Sequence, residues 1–493
     1  MTILERTDKL NIIGIIIRLW AFLIAAFHTL LVAFRYVVVV PNYLPLLQWA
    51  GVGLVLATVL YLLIFSFHSQ ASRRRIVAFF RNVISPELYL LTAVLVWFIL
   101  SSVINQLTGE KRYLRMEDAY LFDMAVCIYI LYPMANAQSG KNTGKLPELL
   151  IHLVAILYSI FTAFCLWHIF HLEVLTFPSG EQGGFTEKVQ LILGAHYNLT
   201  GMIAITMFCL CIYMVFTQEA VIKVLYVFLG LIQLAAVYLS NSRTIFVGLI
   251  VFAATIGFFW PWKTLYKKKS LIRLGASLLI CVSCVGLFWA GRTGTFVLFE
   301  NITHFSEELA NEKEAEGLSD AEEKYRATGL TRGISYETAN LSKTGADNVR
   351  KLNNLSNRTK VWAAAIKVMG SSPQRFLFGV TSFGVTDAIR DIGGYHKEDV
   401  AHAHNIILQI GISMGVPAMI LFLVFLLIIA LRCMRILIRS NGINSYLIPS
   451  IILCFTVINM GESYLAGYYS VMACFFYLFC GWITEIDKRK NND

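Results

Sequence analysis

Two histidines and an asparagine form the string Ala401-His-Ala-His-Asn405, which comes just before a long apolar run. A histidine can act as a general base near neutral pH. His404 is therefore a candidate to take the proton from an attacking hydroxyl group. The structural alternative for either ring is to cap a helix or to bond a carbonyl group. The string could also supply two ligands to a metal ion, but we see no carboxylate at a firm spacing from it, so we expect no metal there.

Several arginines are predicted to lie on the outward side of the membrane, where the positive-inside rule disfavours basic residues. They are Arg115, Arg243, Arg292 and Arg358. The planar guanidinium group is well suited to phosphate oxygens. A ring of such arginines could hold a diphosphate headgroup whose lipid tail lies in the bilayer. The alternatives are anchoring to ordinary lipid headgroups and pairing with acids such as Glu110 and Glu117.

A second polar string, Gly194-Ala-His-Tyr-Asn-Leu-Thr-Gly201, opens another apolar run. It contributes His196 and Asn198 as candidate polar contacts for a substrate. The alternative is an ordinary helix cap by Asn198 or Thr200, because short polar side chains satisfy the first amides of a helix.

The elements that must position these residues are transmembrane helices. The chain has 493 residues, of which 57% are hydrophobic and only 15% are charged, whereas soluble domains are about a quarter charged. Its apolar residues recur in runs of roughly 18–25, the length that crosses the bilayer as a helix. We predict an all-α polytopic membrane protein with about twelve transmembrane helices. The predicted spans are 12–34, 46–67, 86–105, 118–136, 147–169, 199–217, 223–240, 244–261, 274–291, 411–432, 445–460 and 464–484.

The basic residues follow every even-numbered run, which is the orientation signal of a membrane protein. Both termini are therefore predicted to be cytoplasmic. The formal net charge of +10 has this explanation and needs no nucleic-acid partner. Charges inside the predicted spans are few, with Arg18 and Asp123 as the exceptions.

The polar region 292–403 cannot span a membrane, and we predict it to be a large, mainly helical extracytoplasmic loop between helices 9 and 10. It separates residues 1–291, with helices 1–9, from residues 404–493, with helices 10–12 and a cytoplasmic tail. Its first part is rich in glutamate and predicts a solvated helix. Its second part, 357–369, predicts an amphipathic helix whose apolar face is Val361, Trp362, Ala365, Ile366 and Met369.

Together these motifs resemble the bacterial O-antigen ligase and polymerase family of integral membrane glycosyltransferases. The shared pieces are an HxN opening of a helix, Ser-Arg between two helices, an external loop with an Arg-then-Trp helix and a Pro–Gly–Phe stretch, and His-Asn before LQxGxxxGxP. In this chain they are His196 and Asn198, Ser242 and Arg243, Arg358 and Trp362, Pro373, Gly379 and Phe383, and the run from His404 to Pro417. Where the family usually has a small residue after Ser-Arg, this chain has Thr244.

The resemblance implies a metal-independent, inverting glycosyl transfer on the outer face of the bacterial cytoplasmic membrane, without a cofactor. The donor would be an undecaprenyl-diphosphate-linked glycan, and the acceptor a second lipid-linked glycan. His404 would activate the acceptor hydroxyl, and Arg243, Arg292 and Arg358 would hold the diphosphate. Weaker substrate contacts are expected from Asn405, His196, Asn198, His402 and Arg115. A flippase and a chain-length regulator of the same pathway are the expected protein partners.

Three functions fit these observations. The first is a polymerase that joins lipid-linked repeat units of O-antigen, capsule or exopolysaccharide. The second is a ligase that moves the glycan to a lipid A core or another acceptor. The third is a transporter or flippase without chemistry, although the helices show no clear internal repeat of the kind that many transporters carry. We favour the polymerase, because the predicted loop is long and mixed in charge and no feature marks a fixed non-lipid acceptor.

Overall fold

The computed structural model describes ten stretches of the chain. They are 21–33, 85–108, 123–136, 145–170, 197–240, 242–315, 355–393, 402–439, 444–465 and 470–492, together with the single residues 19 and 121. Every regular element in these stretches is helical, which agrees with the predicted all-α class. The predicted span 46–67 lies outside the described residues.

The helices run in chain order as follows. They are α1 (Ala21–Ala33), α2 (Pro86–Leu107), α3 (Asp123–Met134), α4 (Lys145–Phe170), α5 (Tyr197–Thr217), α6 (Ala220–Leu239), α7 (Arg243–Thr264), α8 (Ser270–Ala315), α9 (Leu355–Gly370), α10 (Pro373–Phe378), α11 (Thr381–Gly393), α12 (Ile406–Met414), α13 (Val416–Arg439), α14 (Asn444–Gly461) and α15 (Val471–Asn492). Residues Cys127–Leu131 of α3 have π-helical hydrogen bonding.

Seven of the described helices are long and apolar enough to cross a membrane: α2, α4, α5, α6, α7, α13 and the first part of α8. Three shorter helices, α1, α3 and α14, are also apolar. All ten coincide with predicted spans, so the chain is a multi-pass membrane protein. The total of about twelve spans and the orientation of the termini stay predictions.

The last helix, α15, forms the centre of the bundle. Every residue from Ser470 to Glu485 is buried, as expected for a helix surrounded by others. The predicted span 464–484 began too early, because α15 begins at Val471 and Ser470 is the residue that caps it. Its hydroxyl oxygen accepts a hydrogen bond from the amide of Ala473, as a helix-capping serine does.

Helix α8 continues far beyond the predicted span 274–291. Its 46 residues correspond to about 69 Å at 1.5 Å per residue, more than twice the bilayer core of about 30 Å. The acidic segment that was predicted to be a solvated helix is thus, as far as Ala315, a direct continuation of an apolar one.

The amphipathic helix predicted over 357–369 is present as α9. Its buried face carries Val361, Ala364, Ala365, Val368 and Met369, which pack on α11 and α12. The prediction that Ile366 belongs to the buried face is wrong, because its side chain is 57% exposed. The helical period explains this, because positions 361, 365 and 368 share a face that 366 does not.

The predicted span 411–432 is divided at Gly415, where α12 ends and α13 begins. Gly415 has a φ of 92°, and a Cβ at this position would lie 2.0 Å from the carbonyl oxygen of Leu377. Gly379 has a φ of 65°, and a Cβ there would lie 2.5 Å from the carbonyl carbon of Ser413. The break in the helix therefore exists because two backbone segments cross here at a distance that only glycine allows.

The crossing is also held by α2. The indole nitrogen of Trp97 donates a 3.0 Å hydrogen bond to the carbonyl oxygen of Leu377, and Asn105 donates one of 3.1 Å to that of Phe378. At the opposite end of α2 and α13, Arg432 pairs with Glu87 and with Asp487 of α15. The ends of the bundle are thus distinct: one carries this ion-pair cluster, and the other carries the glycine crossing.

Gly415→Ala should destabilise the protein by about 2–5 kcal/mol, because a left-handed backbone and a steric overlap would both oppose the added methyl group. The measurement is thermal melting of the purified protein in detergent. Gly286→Ala is the matched control, since nothing lies within 4 Å of a Cβ there. Equal melting temperatures for the two variants would contradict the role of the crossing.

Candidate functional site

The side chain of Glu462, which follows α14, joins three of the predicted functional residues. It is fully buried, and its Oε1 accepts a 2.9 Å hydrogen bond from Nη2 of Arg358 on α9. Its Oε2 lies 3.3 Å from Nδ1 of His404 and 3.8 Å from Nε2 of His402. One carboxylate therefore connects the arginine of the amphipathic helix to both histidines.

His404 adopts a left-handed backbone conformation, with a φ of 48°. Such a conformation is rare for a residue with a side chain and is concentrated at functional sites. The turn directs the Nδ1 edge of the imidazole toward Glu462, and the ring is 24% exposed. Nδ1 is thus held by the protein, and the other ring nitrogen, Nε2, is the one left to meet a substrate.

His402 is held by the backbone of the same turn. Its Nδ1 lies 3.1 Å from the amide nitrogen of His404, which donates to it, and 3.0 Å from the hydroxyl of Ser463. The rings of His402 and His404 are 4.0 Å apart at their centroids. His402 is therefore a direct neighbour of His404 and helps to shape the turn.

Asn405 caps α12. Its side-chain oxygen accepts hydrogen bonds from the amides of Ile407 and Leu408, and its side-chain nitrogen donates to the carbonyl oxygen of Met460 at the end of α14. Its polar atoms thus fix where α12 starts next to α14. The structure supports a positioning role for Asn405.

Three of the four predicted arginines gather around the first turn of α7. Arg243 is the first residue of that helix and is exposed. Arg358 donates a 3.0 Å hydrogen bond to the hydroxyl of Thr244, the next residue. Arg292 of α8 lies over the ring of Phe246, 4.9 Å from its centroid, and is close enough to Arg243 for their charges to repel. Three cations therefore meet at the positive end of a helix dipole.

Asn198, at the start of α5, lies beside the first turn of α7. The hydroxyl of Ser242 donates a 2.6 Å hydrogen bond to its side-chain oxygen. Ser242 is the residue before α7 and makes no side-chain cap on it. Asn198 therefore lies at the edge of the arginine cluster, 4% exposed, and is built into the helix interface. His196 and Arg115 lie outside the described residues.

The pKa of Glu462 reflects these neighbours. Burial alone would raise the pKa of its carboxyl group, because desolvation disfavours the charged form. The hydrogen bond with His404 and the positive charges of His404, His402 and Arg358 outweigh burial and lower the pKa below its ordinary value. Glu462 is therefore an anion at neutral pH.

Glu462 and Thr244 are the site residues that the sequence argument did not find. Thr244 was noted only as a departure from the usual small residue, yet it orients Arg358. Gly461 allows this approach, since a Cβ there would lie 2.6 Å from Cγ2 of Thr244 and 2.9 Å from Nη1 of Arg358. A usable signal for Glu462 was present, namely a lone acid between two apolar runs.

The fold brings a carboxylate, that of Glu462, to the two histidines, although none lies near them in the sequence. Donor atoms of His402, His404 and Glu462 all lie within 4.8 Å of one another, a spacing that could hold a metal ion. Against this, the other carboxylate oxygen of Glu462 is bonded to Arg358, whose positive charge already balances it.

Comparison with known families agrees with this geometry. Residues 225–423 match the family model Wzy_C, which is described as O-antigen ligase. The match runs from α6 into α13 and contains the three arginines and His404. It covers less than half of the chain, and Glu462 lies beyond it. No curated protein and no solved structure matches the chain.

The match confirms the resemblance drawn from the motifs. Residues 225–423 of this multi-pass membrane protein are therefore similar to the O-antigen ligase (Wzy_C) family.

The pair Arg358–Glu462 should show strong coupling in a double-mutant cycle made with Arg358→Gln and Glu462→Gln. Removing one partner leaves the other partly desolvated, so the coupling should reach about 1–3 kcal/mol. The measurement is the melting temperature of the two single variants and the double variant. The control cycle is Arg390→Gln with Asp387→Asn, a more exposed pair on α11, which should couple by less than about 1 kcal/mol. Additive effects at Arg358 and Glu462 would contradict the contact.

Proposed function

We propose that this protein is a polysaccharide polymerase that joins undecaprenyl-diphosphate-linked repeat units on the outer face of the cytoplasmic membrane. The observation that carries the proposal is the linkage of a candidate base, His404, through Glu462 and Arg358 to a cluster of arginines. A base for the acceptor and a binding site for the leaving group are the two parts that this reaction needs.

The reaction is a single displacement. The acceptor hydroxyl oxygen bonds to the anomeric carbon of the donor as the bond from that carbon to the diphosphate oxygen breaks. Nε2 of His404 takes the hydroxyl proton, and Glu462, bonded to Nδ1, stabilises the imidazolium that forms. Attack opposite to the leaving group inverts the configuration at the anomeric carbon.

The diphosphate departs with its lipid, and its negative charge rises as the bond breaks. Arg243 and Arg292, together with the start of α7, supply fixed positive charge where that charge develops. Arg358 divides its donors between Glu462 and Thr244. It therefore couples the phosphate-binding arginines to the base and adds its own charge to the cluster.

The proposed mechanism uses no metal ion. A diphosphate is already a good leaving group, so the arginines can do the work that a cation does in other transferases. The guanidinium group of Arg358, bound to Oε1, also neutralises the carboxylate whose Oε2 a metal would share with the histidines.

The ligase is the second candidate, because the matching family is described as O-antigen ligase. It shares the donor, the arginine cluster and the base with the polymerase. The two differ in the acceptor, which is a second lipid-linked repeat unit in the polymerase and a lipid A core or another molecule in the ligase.

The purified protein, supplied with a lipid-diphosphate repeat unit alone, should produce a ladder of longer lipid-linked products on a gel. If product forms only after a second acceptor is added, the protein is a ligase and the polymerase proposal is wrong. Lipid translocation without product in either case would remove the enzyme proposal.

His404→Ala should reduce the rate of transfer by about 10²–10⁴-fold, the usual contribution of a general base, while the protein stays folded. The measurement is the initial rate of glycan transfer. Lys367→Ala is the control, because it changes an exposed cation on the helix that carries Arg358. Full activity of His404→Ala would remove His404 from the reaction.

Brief exposure to EDTA should leave the rate unchanged, since the transfer site is proposed to work without a metal. The rate should be compared before EDTA, with EDTA, and after excess Mg²⁺ or Zn²⁺ is restored. Loss with EDTA and recovery with metal, at an unchanged melting temperature, would instead assign His402, His404 and Glu462 to a metal site.

A further inference from the structure

Away from the transfer site, a second cluster of chemically active side chains lies inside the helix bundle. It consists of His28 on α1, Asp123 on α3 and Cys474 on α15, whose donor atoms all lie within 4.8 Å of one another. Each of these residues is at most 1% exposed. The three helices are far apart in sequence and meet at this point.

Burying the ionisable carboxyl group of Asp123 inside the helix bundle costs free energy. Asp123 was one of the few charges inside the predicted spans, and an ionisable group there usually serves a function. Its Oδ1 lies 2.5 Å from Nε2 of His28, whereas Oδ2 is buried without a hydrogen-bond partner among the described residues. A buried carboxylate oxygen in this state retains the capacity to bind a cation.

A π-helical turn of α3 follows Asp123. It begins at Cys127, a buried residue one helical turn after Asp123. Single π-helical turns inside α-helices are frequent at functional sites. The turn therefore lies next to the residue through which α3 joins the cluster.

We propose that His28, Asp123 and Cys474 form a structural zinc site that fastens α1, α3 and α15 together. Histidine nitrogen, carboxylate oxygen and cysteine sulfur are the donors that Zn²⁺ sites use, and both oxygens of Asp123 can bind, so the three residues supply four donor atoms. Zn²⁺ displaces the proton of the Cys474 thiol and any proton on Nε2 of His28, and it binds the thiolate, the neutral imidazole and the Asp123 carboxylate. The two negative charges neutralise the cation, so the occupied site suits an apolar interior.

The same residues resemble a cysteine–histidine–aspartate catalytic arrangement, but burial opposes that function. Cys474 is 1% exposed on a helix whose neighbouring positions are all buried, so no substrate reaches its sulfur. A bound ion needs only to enter once, during folding or assembly.

The test is metal analysis of the full-length protein, purified in detergent without chelator and then incubated with Zn²⁺ and desalted. About one tightly bound zinc per chain is expected by mass spectrometry. Co²⁺ added to the metal-free protein should give absorption from thiolate-to-cobalt charge transfer. This signal separates the inner cluster from His402, His404 and Glu462, which contain no sulfur.

Cys474→Ser and Asp123→Asn should lose the zinc, the cobalt absorption and several degrees of melting temperature in the presence of zinc. Cys165→Ser is the matched control, since Cys165 is equally buried outside the cluster, and Glu462→Gln should keep the cobalt absorption. No zinc and no charge-transfer absorption in the unmodified protein would overturn the proposal, even if the variants fail to fold. Full zinc binding by Cys474→Ser and Asp123→Asn would overturn it as well.

Discussion

The proposed transfer site depends on one buried carboxylate. Glu462 has no exposure to solvent, and a charge in that position is tolerated only if it is paired. Arg358 pairs with it from α9, and the two histidines face it from the turn before α12. The carboxylate thereby brings together segments that are far apart in the chain and fixes the distance between the base and the cations.

Several features of the fold serve this arrangement. The glycine crossing at Gly379 and Gly415 holds α10 against the start of α13, and α9 and α12 pack together beside it. Asn405 ties the beginning of α12 to the end of α14, where Glu462 follows. The charged residues of the site thus lie at the end of the bundle opposite to the Arg432 cluster. In the proposed mechanism a lipid diphosphate approaches this end from the outer leaflet.

The sequence predicted the helical class, the amphipathic helix and the main residues of the site, because these depend on local composition and residue type. Arg243 and Arg358 were found because arginines are uncommon on the predicted outer side, and His404 because a histidine just before an apolar run is conspicuous. Glu462 was not, because its partners are 104 and 58 residues away and only tertiary packing joins them. The break at Gly415 was missed because the apolar run continues across it, and hydropathy carries no information on backbone dihedral angles.

The central claim is that the cations bind the diphosphate and that His404 acts on the acceptor. Equilibrium binding of a polyprenyl diphosphate to the protein in lipid nanodiscs tests it most directly. Arg243→Gln and Arg292→Gln should each weaken binding about tenfold or more, the usual effect of losing a charge-assisted phosphate contact. His404→Ala and the exposed-cation control Lys367→Gln should bind as the unmodified protein does. Undiminished binding by both arginine variants, or an equal loss in His404→Ala, would contradict the account.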